Sequence, residues 1–484
     1  MWYAATWGVG VSPDSAEYIA AARRLHSLPD LFKLPTQWAP AYPLLLKLGF
    51  LSGLEIKAAT RVLQCLLLAG NLAAAMTLLR HVCGRLSWLP LLGGVVLLCS
   101  FNLWQVNFYA WSEGPFLLCQ QLSLLCLLRF IEAPNNLRQL SGAALLAATA
   151  LMFRYAGVAW IGAAALVLLV LPAVHWQQRI RNAFAFGMVA VLPFLLWIIV
   201  NHFVRNETTN RELVVHLVTG ADLQLLLLEV LSWLGLVQPN LVSAITLVAT
   251  VAVLWLTLRA YAQSSVRLQW LVVVSVCHAV VYILFILLSK SFFDAYIPFD
   301  ERIFVSAWLF ILLMLLCCAI EMLGSESRKK WVAALALLMM LGSGLLNLWP
   351  SISTAHERGT GYLSAYMAQV SRIEDVAGLD GKIVYSNAPD YLRMQTGLNI
   401  REYPRKYAPT TQLANPDYGN ELKVMQQNVQ AGQALLVHYQ GFEWRTYFPG
   451  DKELNALGYQ MVLRGNGVGI LGLPADGAVQ AGAK

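Results

Sequence analysis

The sequence predicts a polytopic α-helical membrane protein, with about 10–11 transmembrane helices and a small C-terminal extracytoplasmic α/β domain. Three observations carry that expectation. Of 484 residues, 58% are hydrophobic and 13% charged, at a mean hydropathy of +0.58, whereas a soluble domain carries about 25% charged residues. Apolar runs close to the length a bilayer requires, about 20 residues, recur from residue 58 to residue 349. After Pro350 the composition becomes that of a water-soluble chain. The formal charge of +7 is no argument for a nucleic-acid partner, because membrane proteins collect basic residues on their cytoplasmic loops.

Taken in order, residues 1–11 are apolar and aromatic, too short and without the basic start of a cleavable signal peptide. They look like the remnant of a first transmembrane helix whose beginning is absent. Residues 12–57 carry Arg23, Arg24, Lys33 and Lys47 and are too polar to span, so they predict an outer loop with one or two interfacial helices. The transmembrane domain, 58–349, has apolar runs near 58–79, 88–106, 114–131, 140–153, 157–173, 183–203, 240–259, 268–289, 303–323 and 331–349. The stretch 213–237 is broken by His216, Gly220, Asp222 and Glu229 and reads as an interfacial element.

Charge sets the orientation. Arg80, His81 and Arg85, Arg129 and Arg138, Arg179 and Arg181, Arg259 and Arg267, and Arg328 to Lys330 all fall on one side if the spans alternate. The positive-inside rule makes that side cytoplasmic. The connections 12–57, 102–113, 154–156, 204–239 and 290–302 are then outside, with everything after 350. Residues 350–474 predict the soluble α/β domain, with strands at Lys382–Asn387, Ala434–Tyr439 and Val468–Leu473 and helical character over 361–376 and 417–430. The tail 475–484 is small, polar and expected to be disordered. The eight cysteines lie in or beside apolar runs without metal-ligand spacing and read as small buried hydrophobes.

Chemistry-bearing residues gather on the outer side. Asp14 and Glu17 stand three apart at the start of a helix whose apolar face is Tyr18, Ala22 and Leu25. The spacing fits a capping box with Asp14 as cap. It equally fits a general base with a partner carboxylate, and a cap would fix that base in place. Ser112-Glu113 opens a span, where an acid is favourable at a helix N-terminus, with Trp104, Tyr109 and Trp111 around it. Arg154 sits in a very short connection, either snorkelling or offering a forked donor to a phosphate. Asp294, Asp300, Glu301 and Arg302 form the densest outer charge cluster, which a solvated loop with internal ion pairs would also explain. His202, His216 and His278 are isolated, and no pair has zinc spacing.

Together these positions resemble the GT-C class of membrane glycosyltransferases, especially family-39-like bacterial enzymes related to protein O-mannosyltransferases and the lipid A aminoarabinose transferase. The resemblance rests on Asp14-Ser15-Ala16-Glu17-Tyr18, Trp38-Ala39-Pro40-Ala41-Tyr42-Pro43, Ser112-Glu113, Arg154–Gly157 and Asp300-Glu301-Arg302-Ile303-Phe304, in that order along residues 12 to 350. It implies inverting transfer from a polyprenyl-phosphate-linked sugar to a glycan, lipid or protein acceptor, at the outer face of a bacterial inner membrane. Asp14, Glu17 and Glu113 are the catalytic set it implies, with Asp14 as base and Glu113 orienting the acceptor. Arg154 and Arg302 would neutralise the leaving phosphate, and Tyr18, Trp38, Tyr42, Trp111, Asp300 and Glu301 would contact substrate. It implies no cofactor beyond the lipid-linked co-substrate, with a divalent metal left open. Some relatives carry a lysine where this chain has Trp38-Ala39, and the C-terminal domain has no assignable motif. The competing readings are a transporter or flippase, which calls for internal repeats and midplane charges, and a non-catalytic scaffold.

Overall fold

A computed structural model describes residues 1–473 except 85–87, 173, 207, 210, 237–239, 260, 325–328, 377 and 380. Arg85, Arg328 and the tail 475–484 therefore lie outside the described residues. No helix end forms over residues 1–11. They make turns, with Ala5 N donating to Met1 O at 3.1 Å and Gly8 N to Ala5 O at 3.0 Å. Gly8 then takes φ +115°, a conformation closed to side chains, and Gly10 and Val11 bridge to Tyr109 and Gly361.

Two short helices follow, α1 (Pro13–Arg24) and α2 (Ala41–Phe50), as residues 12–57 predict. Tyr18 and Ala22 of α1, with Leu25 just past its end, are buried as their spacing requires. The bundle comprises α3 (Ile56–Cys83), α4 (Leu89–Leu98), α5 (Phe101–Phe108), α6 (Glu113–Glu132), α7 (Leu137–Phe153), α8 (Gly157–Val170), α9 (Trp176–Arg205), α10 (Gly220–Trp233), α11 (Leu241–Arg259), α12 (Val266–Phe292), α13 (Glu301–Leu323) and α14 (Lys330–Arg358). Among the described residues, seven are long and apolar enough to cross a bilayer: α3, α6, α9, α11, α12, α13 and α14. The pair α4 and α5 passes that test together but bends by 58°, because Ser100 interrupts the run and caps α5, its Oγ accepting from Leu103 N at 3.5 Å. The short run 140–153 is the apolar helix α7, and α8 is short as well. Every predicted run thus carries a helix, and the protein is a multi-pass membrane protein.

The most buried of the long helices is α13. It is apolar on every face, as a helix surrounded by protein must be, with Leu309, Phe310, Leu313, Leu315 and Leu316 at 1% exposure or less. At the end carrying the basic connections, Arg267 Nη1 donates to His81 O at 2.9 Å and its Nε lies 2.9 Å from Glu132 Oε1. The ends of α3, α6 and α12 therefore meet there, as alternation requires. Helix α14 passes through Pro350 to Arg358 rather than stopping at it. A proline removes one backbone donor and kinks a helix without having to end it.

The C-terminal domain has β1 (Ile383–Ser386), β2 (Arg401–Glu402), β3 (Ala434–Tyr439), β4 (Gln460–Arg464) and β5 (Val468–Gly472) in the order β2-β1-β3-β5-β4. β1 pairs parallel with β2 and β3, while β5 runs antiparallel to β3 and β4. Helices α15 (Ala365–Gln369), α16 (Ile373–Val376), α17 (Pro389–Thr396), α18 (Tyr418–Gln430) and α19 (Asp451–Ala456) surround the sheet. One core joins Val11, Ala16, Tyr18, Ile19 and Tyr42 to Tyr391, Val437 and Tyr439. Helix α1 is thus built into the C-terminal domain as much as into the bundle. All eight cysteines are free; Cys317 and Cys318 are buried and the other six partly so.

Candidate active site

The first turn of α1 corrects the expected capping box. Ser12, not Asp14, is the N-cap, its Oγ accepting from Ser15 N at 3.3 Å, with Pro13 at the first helical position. Proline's fixed φ starts the helix two residues early, which frees the Asp14 carboxylate from backbone duty. Trp111 Nε1 also donates to Ser12 Oγ, at 2.7 Å.

That carboxylate meets three other charges. Arg302, in the first turn of α13, places Nη2 at 2.8 Å from Asp14 Oδ2 and Nε at 2.6 Å from Glu113 Oε1. Arg154, where α7 ends, pairs with the same Glu113 oxygen. The four side chains form a chain, Arg154–Glu113–Arg302–Asp14, assembled from α1, α6, α13 and the α7–α8 turn. The Arg302 guanidinium also lies 4.1 Å from the Trp111 ring centroid, a further site for its charge. Glu113 has no exposed surface, whereas Asp14 is 35% exposed and the arginines about a fifth. Buried charges stand only when paired and hydrogen-bonded, and Glu113 is the shared partner of both guanidiniums.

The α7–α8 turn is held tightly. A Cβ on Gly157 would lie 2.8 Å from Leu151 Cα, a backbone clash that relaxes only by moving the turn bearing Arg154. Gly157→Ala is expected to cost about 1–3 kcal/mol, read as a lowered unfolding midpoint in detergent. Tyr155, within the Arg154–Gly157 motif, donates from its hydroxyl to Thr36 O at 2.9 Å and Trp38 O at 3.0 Å. It thereby fixes the loop that carries Trp38.

Asp14, Arg154 and Arg302 face a cavity of ≈ 780 Å³ whose opposite wall is apolar, with Phe194, Phe285, Ile286 and Phe293 from α9, α12 and the residue after it. Tyr18, Trp38 and Asp300 also line it. Tyr18 meets Trp38 edge-on at 5.9 Å and Tyr42 at 5.1 Å. Burial, then the carboxylates of Asp14 and Glu113, push the Tyr18 phenol well above its ordinary range, so it stays a protonated donor. Asp300 caps α13, accepting from Ile303 N at 3.0 Å, and burial raises its carboxyl.

The remaining sequence-derived residues do not join this wall. Glu17 pairs with Arg393 of α17; burial is the largest influence on it and raises its carboxyl against the pull of that arginine. It holds α1 to the C-terminal domain. Tyr42 is fully buried and accepts from Gln64 Nε2 at 2.6 Å. Trp111 stands behind Arg302 instead of in the cavity. Glu301 points into a separate cavity of ≈ 420 Å³ that also holds Glu229. Among the described residues no three His, Cys, Asp or Glu side chains are grouped to hold a metal ion. His278 is buried 2.9 Å from Ser306 Oγ.

With this geometry in place, comparison with solved structures identifies the fold. The chain is similar to ArnT from Cupriavidus metallidurans in the apo state, with TM-score 0.57 and 13% identity over 97% of this chain and 94% of that one. It is equally similar to ArnT from Cupriavidus metallidurans bound to undecaprenyl phosphate, with TM-score 0.56 and 14% identity over 99% and 96%. No family model and no curated protein matches the sequence. The chain shares the fold of these two ArnT structures over nearly its whole length.

Proposed function

We propose that the protein transfers a sugar from a polyprenyl-phosphate-linked donor to an acceptor hydroxyl, with inversion, at the outer face of a bacterial inner membrane. The observation that carries this reading is the Arg154–Glu113–Arg302–Asp14 chain of charges at the edge of a cavity with an apolar far wall. The undecaprenyl phosphate bound to ArnT in a structure of the same fold supports a lipid-phosphate donor. The apolar wall suits a prenyl chain and the two guanidiniums suit its phosphate. Asp14 takes the proton of the acceptor hydroxyl. The acceptor oxygen attacks the anomeric carbon in one displacement, and the carbon–oxygen bond to the lipid phosphate breaks. Arg154 and Arg302 stabilise the charge that builds on the departing phosphate. The bias of basic residues toward the other connections supports an outer position for this wall and the C-terminal domain.

The test is turnover of a synthetic polyprenyl-phosphate sugar by the purified protein. Release of free polyprenyl phosphate with transferred sugar supports the reading; movement of the intact lipid-sugar across a bilayer without cleavage supports a flippase. Arg154→Lys keeps the charge and loses the fork. It is expected to raise the donor KM by about tenfold, the loss of one charge-assisted hydrogen bond of roughly 1.5 kcal/mol, with a smaller change in kcat.

A further inference from the structure

Asp14 does not face one cavity only. A second, of ≈ 1180 Å³, lies between α1 and the C-terminal domain, and Asp14, Trp38, Arg445 and Tyr447 line both. Asp14 therefore stands at the junction of an apolar-walled chamber and a polar cleft. The chemistry of the cleft differs from that of the chamber. Three of its four arginines are neutralised by the chain itself: Arg393 by Glu17, Arg405 by Glu402 at 2.6 Å and Arg445 by Asp390 at 2.8 Å. Among the described residues only Arg401 of these four makes no ion pair; its nearest polar contact is the Tyr385 hydroxyl at 3.4 Å. Asp417 and Glu421 add two further carboxylates. A polyanionic ligand such as a phosphorylated glycolipid needs surplus cations, and the carboxylates lining the cleft outnumber its four arginines, Arg401 included. A neutral polyhydroxylated ligand needs closely set donors and acceptors with flat apolar surfaces between them. Arginine–carboxylate pairs beside Trp38 and Tyr447 provide both.

We propose that this cleft binds a neutral glycan presented from the aqueous side and delivers one of its hydroxyls to Asp14. The proposal rests on the transferase reading for what Asp14 then does, and it names the acceptor class. The buried Arg445 anchors the junction, donating to Asn387 O at 3.1 Å and the Tyr362 hydroxyl at 2.8 Å as well as pairing with Asp390. Acceptor and donor thus approach Asp14 from opposite sides.

The test uses the full chain in lipid nanodiscs, with cellohexaose and maltohexaose as neutral probes, hexagalacturonate as the anionic one, and undecaprenyl phosphate as a separate ligand. At least one neutral hexasaccharide is expected to bind more tightly than hexagalacturonate. Arg401→Ala and Asn420→Ala change exposed cleft residues away from the chamber. Together they are expected to weaken that binding by at least about tenfold and to leave undecaprenyl phosphate affinity and melting temperature unchanged. Wild type that binds neither neutral probe, prefers hexagalacturonate, or keeps its sugar affinity in the double variant overturns the proposal. Failure of wild type to bind undecaprenyl phosphate would instead count against the transferase reading and leave the sugar measurement readable.

Discussion

Asp14→Asn is expected to lower sugar transfer by about 10²- to 10⁴-fold, the contribution of a positioned general base, with the protein folded and its lipid affinity intact. The substitution is nearly isosteric. Asparagine still offers Arg302 a carbonyl oxygen where Asp14 Oδ2 now lies at 2.8 Å, and the helix keeps its start because Ser12 is the cap. What is lost is the lone pair that accepts the acceptor's proton. The check is single-turnover transfer by protein in nanodiscs, with undecaprenyl phosphate binding measured on the same preparation. Transfer within a few-fold of wild type would remove Asp14 as the base, and loss of lipid binding together with transfer would make it a binding residue instead.

Glu113→Ala is expected to be the most damaging substitution for stability. The carboxylate is the shared partner of Arg154 and Arg302 and has no exposed surface. Removing one member of a buried ion cluster costs about 3–5 kcal/mol because the charges left behind have lost their partner. Here two guanidiniums lose it, although Arg302 keeps Asp14 and the face of Trp111. Glu113→Gln retains a hydrogen-bond acceptor and is expected to lie between Ala and wild type. Detergent-solubilised unfolding followed by tryptophan fluorescence reads both. A Glu113→Ala protein as stable as wild type would mean that water or rearrangement satisfies the arginines, and that the charge chain is not what organises this wall.

Much of the architecture was legible because hydrophobic run length and basic-residue placement are independent readings of the same constraint. What the sequence left ambiguous was direction. Asp14 and Glu17 differ by three positions and read as one motif, yet one reaches Arg302 in the bundle and the other Arg393 in the C-terminal domain. Glu301 and Arg302 are adjacent, and a helix turn sends them into different cavities. Residues adjacent in a helix point about 100° apart, so a charge cluster in sequence need not be one in space. Pro13 was the available signal that the cap lies at Ser12, because proline favours the first helical position. Arg393 and Arg445 could not have been found, since their partners lie 376 and 55 residues away and no local pattern encodes such distances.

The central claim is that the Arg154–Glu113–Arg302–Asp14 wall receives the lipid phosphate. It is tested most directly by a structure of the Asp14→Asn protein in nanodiscs saturated with undecaprenyl phosphate. The account predicts the phosphate within hydrogen-bonding distance of both Arg154 and Arg302, with the prenyl chain along Phe194, Phe285 and Phe293. A phosphate seated in the cavity of Glu229 and Glu301, or a lipid that touches neither arginine, would contradict it.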